Sequence, residues 1–301
     1  MMIADRALLP AALLALLVAA IAPAAAQTDE PPMEELMIAD GDSGSVWTPA
    51  EATMEPDDVH ARAGRAMHFH IDVNHSTGQP DYPIGWPRAY TTIPEGQRDW
   101  TDWDFIDFWL YADTSREGLP GSPLGFIVRC PDKANSFSAT LSQADKGEWV
   151  HFRFPISALP SAADCTAIQF FISESNYRDG DVLDFWIDDL KLLRYAEPTI
   201  IRLQPLNQVL YADQPVLRVA VEMTGLEDAA TAQVEVALVR DDETVQQASA
   251  PLAAGVTTIP LSVEGGATAG EYQVQARVVG SDRTVTKTVR VVSSPWEGEA
   301  R

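Results

Sequence analysis

Aromatic side chains that could stack on sugar rings are concentrated in one short segment of the chain. Tyr82, Trp86, Arg88 and Tyr90 share parity along an extended, proline-flanked stretch, so they should lie on one face. Aromatic rings stack on the apolar faces of pyranoses, and a few polar groups fix the orientation of the sugar. Together with Trp100 and Trp103, the segment predicts a ligand-binding surface. The alternative is that these rings cover the edge of a hydrophobic core.

A second set of residues alternates polar and apolar side chains. Trp149, His151 and Arg153 would share one strand face, and His68 and His70 would share another. If the two strands are neighbours, a polar groove crosses one sheet. The alternative is that Trp149 is structural and the other side chains simply face solvent.

The spacing of His68 and His70, with His75 nearby, could also suit a transition metal. The pattern lacks a third ligand at a suitable spacing, and two exposed histidines explain it equally well. No nucleophile elbow, zinc-protease motif or phosphate-binding loop is present, so we expect no enzymatic activity. Carboxylate pairs of the glycosidase type cannot be read from spacing alone.

The net charge and the N-terminal segment limit the classes of protein to which this chain can belong. A formal charge of −23 argues against partners such as nucleic acid or an anionic membrane surface. The apolar stretch from Ala7 to Ala26 is typical of a signal peptide cleaved after Ala26, and no later segment could insert into a membrane. We therefore expect a secreted or periplasmic protein. Cys130 and Cys165 would form a disulfide there or remain two buried thiols.

Short apolar runs separated by Gly, Pro, Asn and Asp predict an all-β protein. In the first part the predicted strands are 66–73, 104–111, 123–130, 136–141, 148–154, 167–172 and 182–193, with 104–111 central because both of its faces are apolar. Aromatic residues become rare after Tyr195, where we place a domain boundary. Seven short strands follow, which predicts an immunoglobulin-like sandwich, and Tyr272 is placed like a tyrosine corner. The expected division is signal peptide 1–26, linker 27–35, first domain 36–195, second domain 196–294 and tail 295–301.

Three phrases of the first domain resemble carbohydrate-binding modules of the galactose-binding-like jelly-roll type. They are residues 103–111, residues 147–150 leading into 154–159, and residues 185–192. With residues 82–88 and 293–298, the arrangement is also similar to the N-terminal modules of large secreted bacterial proteins that carry a glycoside-hydrolase-like domain. That domain is absent from this sequence, so its activity is not carried over.

The resemblance implies a jelly-roll β-sandwich, a polysaccharide or glycan partner, and a structural Ca²⁺. It directs attention to Asp40, Asp42, Asp188 and Asp189 as calcium ligands, because calcium needs about six to eight oxygen ligands. The alternative is that Asp40–Gly44 is an ordinary acidic turn.

The leading hypothesis is a non-catalytic carbohydrate-binding or cell-envelope accessory protein whose second domain acts as a spacer. The alternatives are a structural or adhesive module that pairs with other envelope proteins, and a truncated accessory part of a glycoside hydrolase.

Overall fold

The computed structural model describes residues 30–76, 84–224, 232–251 and 255–295. The predicted signal peptide and cleavage point, Tyr82, and the tail beyond Pro295 therefore lie outside the described residues. Regular structure is almost entirely β, which confirms the predicted fold class, and no helix within the described ranges is long and apolar enough to cross a bilayer. The only helices there are single 3-10 turns at Glu95–Gln97, Lys133–Asn135, Ile156–Ala158 and Glu174–Asn176.

The strands of the first sandwich precede residue 196. They are β1 (Met33–Ala39), β2 (Trp47–Ala50), β3 (Thr53–Asp57), β4 (Ala66–Asp72), β5 (Arg88–Thr92), β6 (Phe105–Thr114), β7 (Gly125–Arg129), β8 (Phe137–Thr140), β9 (Trp149–Pro155), β10 (Ala167–Phe171) and β11 (Val182–Tyr195).

Two antiparallel sheets form this sandwich. Sheet I has the order β3-β4-β11-β6-β9, with β1 pairing to β11, and sheet II has the order β2-β5-β10-β7-β8. Their inner faces meet in an aromatic core, where Phe108 of sheet I lies 5.1 Å from Phe126 and 5.5 Å from Phe170 of sheet II, between ring centroids. Residues of opposite parity therefore point away from this core, and they form two outer faces.

Strand β1 corrects the predicted linker, because it begins at Met33 rather than after residue 35. Glu34 and Glu35, interpreted from the sequence as linker residues, lie opposite the basic end of β11. Arg194 contacts Glu34 at 2.6 Å and Lys191 contacts Glu35 at 2.9 Å. Acidic side chains in an edge strand gave no apolar signal in the sequence, although cross-strand ion pairs accommodate them.

A β-bulge in β11 reverses which residues face the core. Leu183, Phe185 and Ile187 are buried before it, whereas Leu190 and Leu192 are buried after it. The register shifts between Asp188 and Lys191, and Asp189 takes a left-handed φ of 53°. One extra residue at this point changes the parity of the strand, as bulges do.

The second sandwich has eight strands where seven were predicted. They are β12 (Thr199–Pro205), β13 (Val209–Tyr211), β14 (Val216–Thr224), β15 (Gln233–Arg240), β16 (Glu243–Pro251), β17 (Gly255–Ser262), β18 (Gly270–Val278) and β19 (Val285–Val292). Sheet III has the order β12-β14-β17, and sheet IV has the order β13-β19-β18-β15-β16. The missed strand is β13, which pairs in parallel with β19.

Tyr272 at the start of β18 makes the bond that defines a tyrosine corner. Its hydroxyl donates a hydrogen bond of 2.8 Å to the backbone carbonyl of Thr268, four residues upstream. The ring is buried in the second core. This bond agrees with the immunoglobulin-like prediction.

Pro31–Arg301 is one compact unit, and two separate hydrophobic cores lie within it. The sheets of the first core end at Tyr195 and those of the second begin at Thr199, close to the predicted boundary. Asp104 connects the two parts, because its carboxylate accepts hydrogen bonds from the Tyr195 backbone at 2.9 Å and from the Thr224 hydroxyl at 2.6 Å.

Cys130 and Cys165 are buried free thiols, the second of the two arrangements that the sequence allowed. The Cys130 thiol also donates to the backbone carbonyl of Ser161 at 3.5 Å. Burial raises the pKa of Cys165 to about 12, and the neighbouring Cys130 adds to that shift. Both thiols are therefore neutral at ordinary pH.

Candidate functional site

The segment before β5 presents Trp86 at the surface. The Trp86 backbone amide donates a hydrogen bond of 2.6 Å to Glu51, and the Gly85 amide donates one of 2.8 Å to the buried carboxylate of Glu174. A Cβ atom on Gly85 would lie 2.5 Å from Glu174 Oε2 and 2.7 Å from Glu51 Oε2, so a larger residue would displace these carboxylates. Two carboxylates thus fix the backbone that carries the indole ring.

Trp86 is 43% exposed, and its ring contacts two side chains of sheet II. It packs edge-on against Phe171, with the ring centroids 5.7 Å apart, and the Arg88 guanidinium lies 4.8 Å from its centroid. Arg88 Nη1 also donates a hydrogen bond of 3.0 Å to the Trp86 carbonyl. These contacts limit the rotamers of the indole while leaving much of its surface open to solvent.

Tyr90 lies in the neighbouring row on the same outer face. The register aligns Tyr90 of β5 with Gln169 of β10 and then with Ile127 of β7. Arg129 lies across this row, with its guanidinium 5.4 Å from the Tyr90 ring centroid and donating a hydrogen bond to Gln169 Oε1. We call this surface the Tyr90 face; it consists of Trp86, Arg88, Tyr90, Arg129, Gln169 and Phe171.

Gln169 carries an unused hydrogen-bond donor. The residue is 0% exposed, and its Nε2 is one of two buried side-chain nitrogens in the described ranges that lack a partner. A buried polar group without a partner costs about 1–3 kcal/mol. Among the groups of this face, the Gln169 side-chain amide would therefore be stabilised most by a new hydrogen-bond acceptor such as a hydroxyl.

Only part of the sequence-predicted set meets on this face. Trp86, Arg88 and Tyr90 share it, as their parity predicted, but Trp100 does not. Trp100 is 0% exposed, lies in the first core, and donates from its indole nitrogen to the Gln97 carbonyl at 2.8 Å. A ring enclosed in this way cannot stack on a sugar, so its assignment as a ligand-binding residue was wrong.

Trp103 is also separate from the Tyr90 face. It packs against the first core, and the Arg194 guanidinium lies 5.3 Å from its ring centroid. The sequence missed Gln169, Arg129 and Phe171. A lone glutamine within the apolar run 167–172 was the one available signal, because an apolar strand rarely holds a polar side chain without a use for it.

The outer face of sheet I gathers the second predicted set. His68 and His70 lie on β4 and Trp149, His151 and Arg153 on β9, and these strands are separated by β11 and β6 rather than adjacent as the groove required. The residues nevertheless share a face, because register aligns His68 with Trp186, Trp186 with Tyr111, and Tyr111 with Trp149.

Side chains of the loop between β3 and β4 cover much of that face. His60 stacks on Tyr111 with 4.2 Å between ring centroids, and the Arg62 guanidinium lies 3.6 Å from the Trp109 centroid. The aromatic rings of sheet I are therefore already stacked within the protein. Of the two outer faces, the Tyr90 face with its Trp86 ring is therefore the more open to a ligand.

Asp40 and Asp42 accept hydrogen bonds from backbone amides. Asp40 Oδ1 accepts from the amides of Asp42, at 2.8 Å, and Ser43, as in a tight acidic turn. Asp42 accepts from the Arg65 amide at 2.8 Å and from Arg65 Nε at 3.1 Å, and these bonds lower the pKa of its carboxyl group.

Asp188 and Asp189 lie at the bulge of β11. Asp188 accepts from the Arg62 and Asp189 amides at 2.8 and 2.9 Å, and its burial raises the pKa of its carboxyl group. In the part of the chain that the structure describes, these four carboxylates do not gather into one ligand group; the group that does is His68, His70 and Asp184. Calcium at the four aspartates stays a prediction.

No protein-family model and no curated protein matches the chain. Among solved structures, a β-1,2-glucanase from Parabacteroides distasonis is similar at 12% identity and a TM-score of 0.37, over 88% of this chain and 37% of the glucanase. A CBM28 carbohydrate-binding module specific for non-crystalline cellulose is similar at 14% identity and a TM-score of 0.32, over 54% of this chain and 96% of the module.

A third similar structure is CBM27-1 of Caldicellulosiruptor saccharolyticus in complex with mannohexaose. It shows 17% identity and a TM-score of 0.33, over 53% of this chain and 96% of the module. These are carbohydrate-binding modules and a glycoside hydrolase, the classes that the sequence resemblance names. This chain spans well under half of the glucanase. At such identities and TM-scores the matches assign no function to it.

Proposed function

We propose that the first sandwich binds a glycan on the Tyr90 face and that the chain is an exported, non-catalytic carbohydrate-binding accessory protein. The observation that carries the proposal is the exposure of Trp86. Tryptophan is usually well buried, yet this residue is 43% exposed to solvent. An exposed indole with a fixed position is suited to stacking against the apolar face of a pyranose.

The polar groups of the face complement such a ligand. Arg88 supports the indole at 4.8 Å and has further guanidinium donors that could reach sugar hydroxyls. Gln169 Nε2 lacks an acceptor, and it would become available to a ligand if the Arg129 side chain moved away from the row. One stacking ring with a few oriented donors is the usual composition of a sugar subsite.

The remaining parts of the proposal rest on the sequence. Export follows from the segment Ala7–Ala26, and a non-catalytic role follows from the absence of recognisable catalytic motifs in the sequence. The second sandwich, with its small aliphatic core, would act as a spacer.

Affinity electrophoresis and calorimetry with soluble glycans test the proposal. The panel includes β-1,2-glucan, mannohexaose and cello-oligosaccharides. We expect at least one glycan to bind, and Trp86→Ala to weaken that binding at least about fivefold, since stacking on an aromatic ring contributes on the order of 1–3 kcal/mol.

The matched control is Tyr211→Ala, which removes a 51% exposed aromatic ring from the second sandwich and should leave affinity unchanged. Failure of every glycan in the panel to bind would overturn the proposal. Binding that is unaffected by Trp86→Ala would place the site elsewhere and overturn the assigned face.

A further inference from the structure

Two histidines and an aspartate meet on the outer face of sheet I, away from the Tyr90 face. His68 and His70 project from β4, and Asp184 projects from the neighbouring strand β11. Asp184 Oδ1 lies 2.8 Å from His68 Nε2 and 2.7 Å from His70 Nδ1. The sequence offered the two histidines without a third ligand. Strand pairing supplies it from more than a hundred residues away.

The distances suit a small cation. The three ligand atoms lie within 4.8 Å of one another, and each side chain is partly exposed, so an ion can enter from solvent. Tetrahedral zinc with bonds of about 2.0–2.1 Å places its ligand atoms about 3.3 Å apart. The two distances from Asp184 Oδ1 to the imidazole nitrogens would therefore have to lengthen by about 0.5 Å to match such an ion.

The other nitrogen of each imidazole faces a second carboxylate. Asp57 Oδ2 lies 4.0 Å from His68 Nδ1, and Asp72 Oδ2 lies 3.6 Å from His70 Nε2. Histidines that bind metals usually direct their remaining N–H at a carboxylate, carbonyl or water, which orients the ring and makes the ligating nitrogen more basic. Both histidines of this cluster have such a carboxylate nearby.

The ring of His68 is also held in place by packing. It stacks on Trp186 with 4.5 Å between centroids and an interplanar angle of 5°. The Trp186 indole nitrogen in turn donates a hydrogen bond of 2.8 Å to Asp57. Asp57 is therefore fixed beside His68, and the stacking and the neighbouring carboxylate leave the imidazole little rotational freedom.

We propose that His68, His70 and Asp184 form a Zn²⁺ site with three protein ligands and a fourth position open to water or an external ligand. Two neutral imidazoles and one carboxylate are the ligand types that zinc prefers when thiolates are absent. The site is independent of glycan binding, because its residues lie on sheet I whereas the Tyr90 face lies on sheet II.

Calorimetric titration of the untagged, EDTA-treated chain with ZnCl₂ tests the site. We expect one zinc ion per chain to bind in the micromolar range or tighter. Loss of a residue that only supports a metal ligand typically weakens metal binding about 10- to 100-fold. His70→Gln and Asp184→Asn each remove a proposed direct ligand, so each should weaken zinc binding by at least that factor. Asp72→Asn should have a smaller effect in the same direction.

His75→Gln is the matched control, because His75 bonds to the Glu174 carbonyl outside the cluster. It should bind zinc as the unmodified chain does. Circular dichroism of each variant separates ligand loss from misfolding. The proposal is wrong if the unmodified, folded chain binds no zinc, or if folded His70→Gln and Asp184→Asn variants bind it as tightly as the His75 control does; Asp184 would then simply accept two imidazole N–H groups.

Discussion

Trp86 and Trp100 are residues of the same type that have different roles within a single sandwich. Trp100 is enclosed by the first core and its indole nitrogen is satisfied by a backbone carbonyl. Trp86 lies outside that core, where it contacts Phe171 and Arg88 and is 43% exposed to solvent. The free energy of unfolding should depend strongly on the first residue and weakly on the second.

We expect Trp100→Ala to lower the free energy of unfolding by about 3–5 kcal/mol, because it removes a fully buried large aromatic. Trp86→Ala should cost about 1 kcal/mol or less, since much of its ring stays hydrated in the folded state. Urea denaturation of both variants gives the comparison. Similar losses for both would contradict a surface role for Trp86.

Parity along the chain predicted the residues of the Tyr90 face only where the backbone is a regular strand. Arg88 and Tyr90 belong to β5, and Trp86 continues their alternation. Trp100 lies beyond the strand, in a turn region where alternation no longer specifies a face. Gln169 and Asp184 could not be assigned a partner from the sequence, because strand order decides which residues become neighbours.

At the level of strands, the Tyr90 face depends on a glycine in β7. Gly125 lies opposite Phe171 in the register, and a Cβ atom there would overlap the Phe171 ring. The ring that supports Trp86 therefore needs a residue without a side chain beside it. The orientation of the Trp86 indole therefore depends on the glycine at position 125 of β7.

Gly125→Ala should destabilise the first sandwich by about 1–3 kcal/mol, as overpacking typically does. By displacing Phe171 it should also weaken any glycan binding that depends on Trp86. Gly118→Ala is the control, because no heavy atom lies near its added Cβ, and its effect should stay within about 0.5 kcal/mol. Thermal or urea denaturation distinguishes the two, and equal stability would show that Phe171 moves aside freely.

Four of the five strands that the sequence did not predict share a position in the sheets. Strands β1, β2, β3 and β13 each pair with a single neighbour, whereas the fifth, β5, lies between β2 and β10. A strand at an edge buries few side chains; in β13, for example, only Leu210 is buried. The apolar pattern that identifies strands is produced by burial, so it is weakest at edges and strongest in central strands such as β6 and β11.

For the whole molecule, the sequence predicted a boundary where aromatic residues become rare, after Tyr195. The sequence could not show how the two parts contact each other. Asp104, in the loop before β6, bonds both to the end of β11 and to Thr224 at the end of β14. A side chain of the first sandwich thus bonds directly to a strand of the second.

Thr224→Val should remove this link at constant side-chain volume and lower the free energy of unfolding by about 1 kcal/mol, the usual contribution of one hydrogen bond. Thr286→Val on the exposed side of β19 is the control and should change stability by less than about 0.5 kcal/mol. Denaturation of the full chain measures both. If Thr224→Val leaves the free energy of unfolding unchanged, then the short connection from Tyr195 to Thr199 joins the sandwiches without help from this bond.

The pairing of β1 with β11 also bears on how the first sandwich responds to force. Met33, where β1 begins, lies directly opposite Tyr195, where β11 leaves for the second sandwich. Tension applied between Met33 and Tyr195 would pull β1 away from β11 at one end of their ladder, perpendicular to the strands rather than along them. The hydrogen bonds of β1 would then break one after another, and the sheet behind β1 would stay intact while a tethered chain extends.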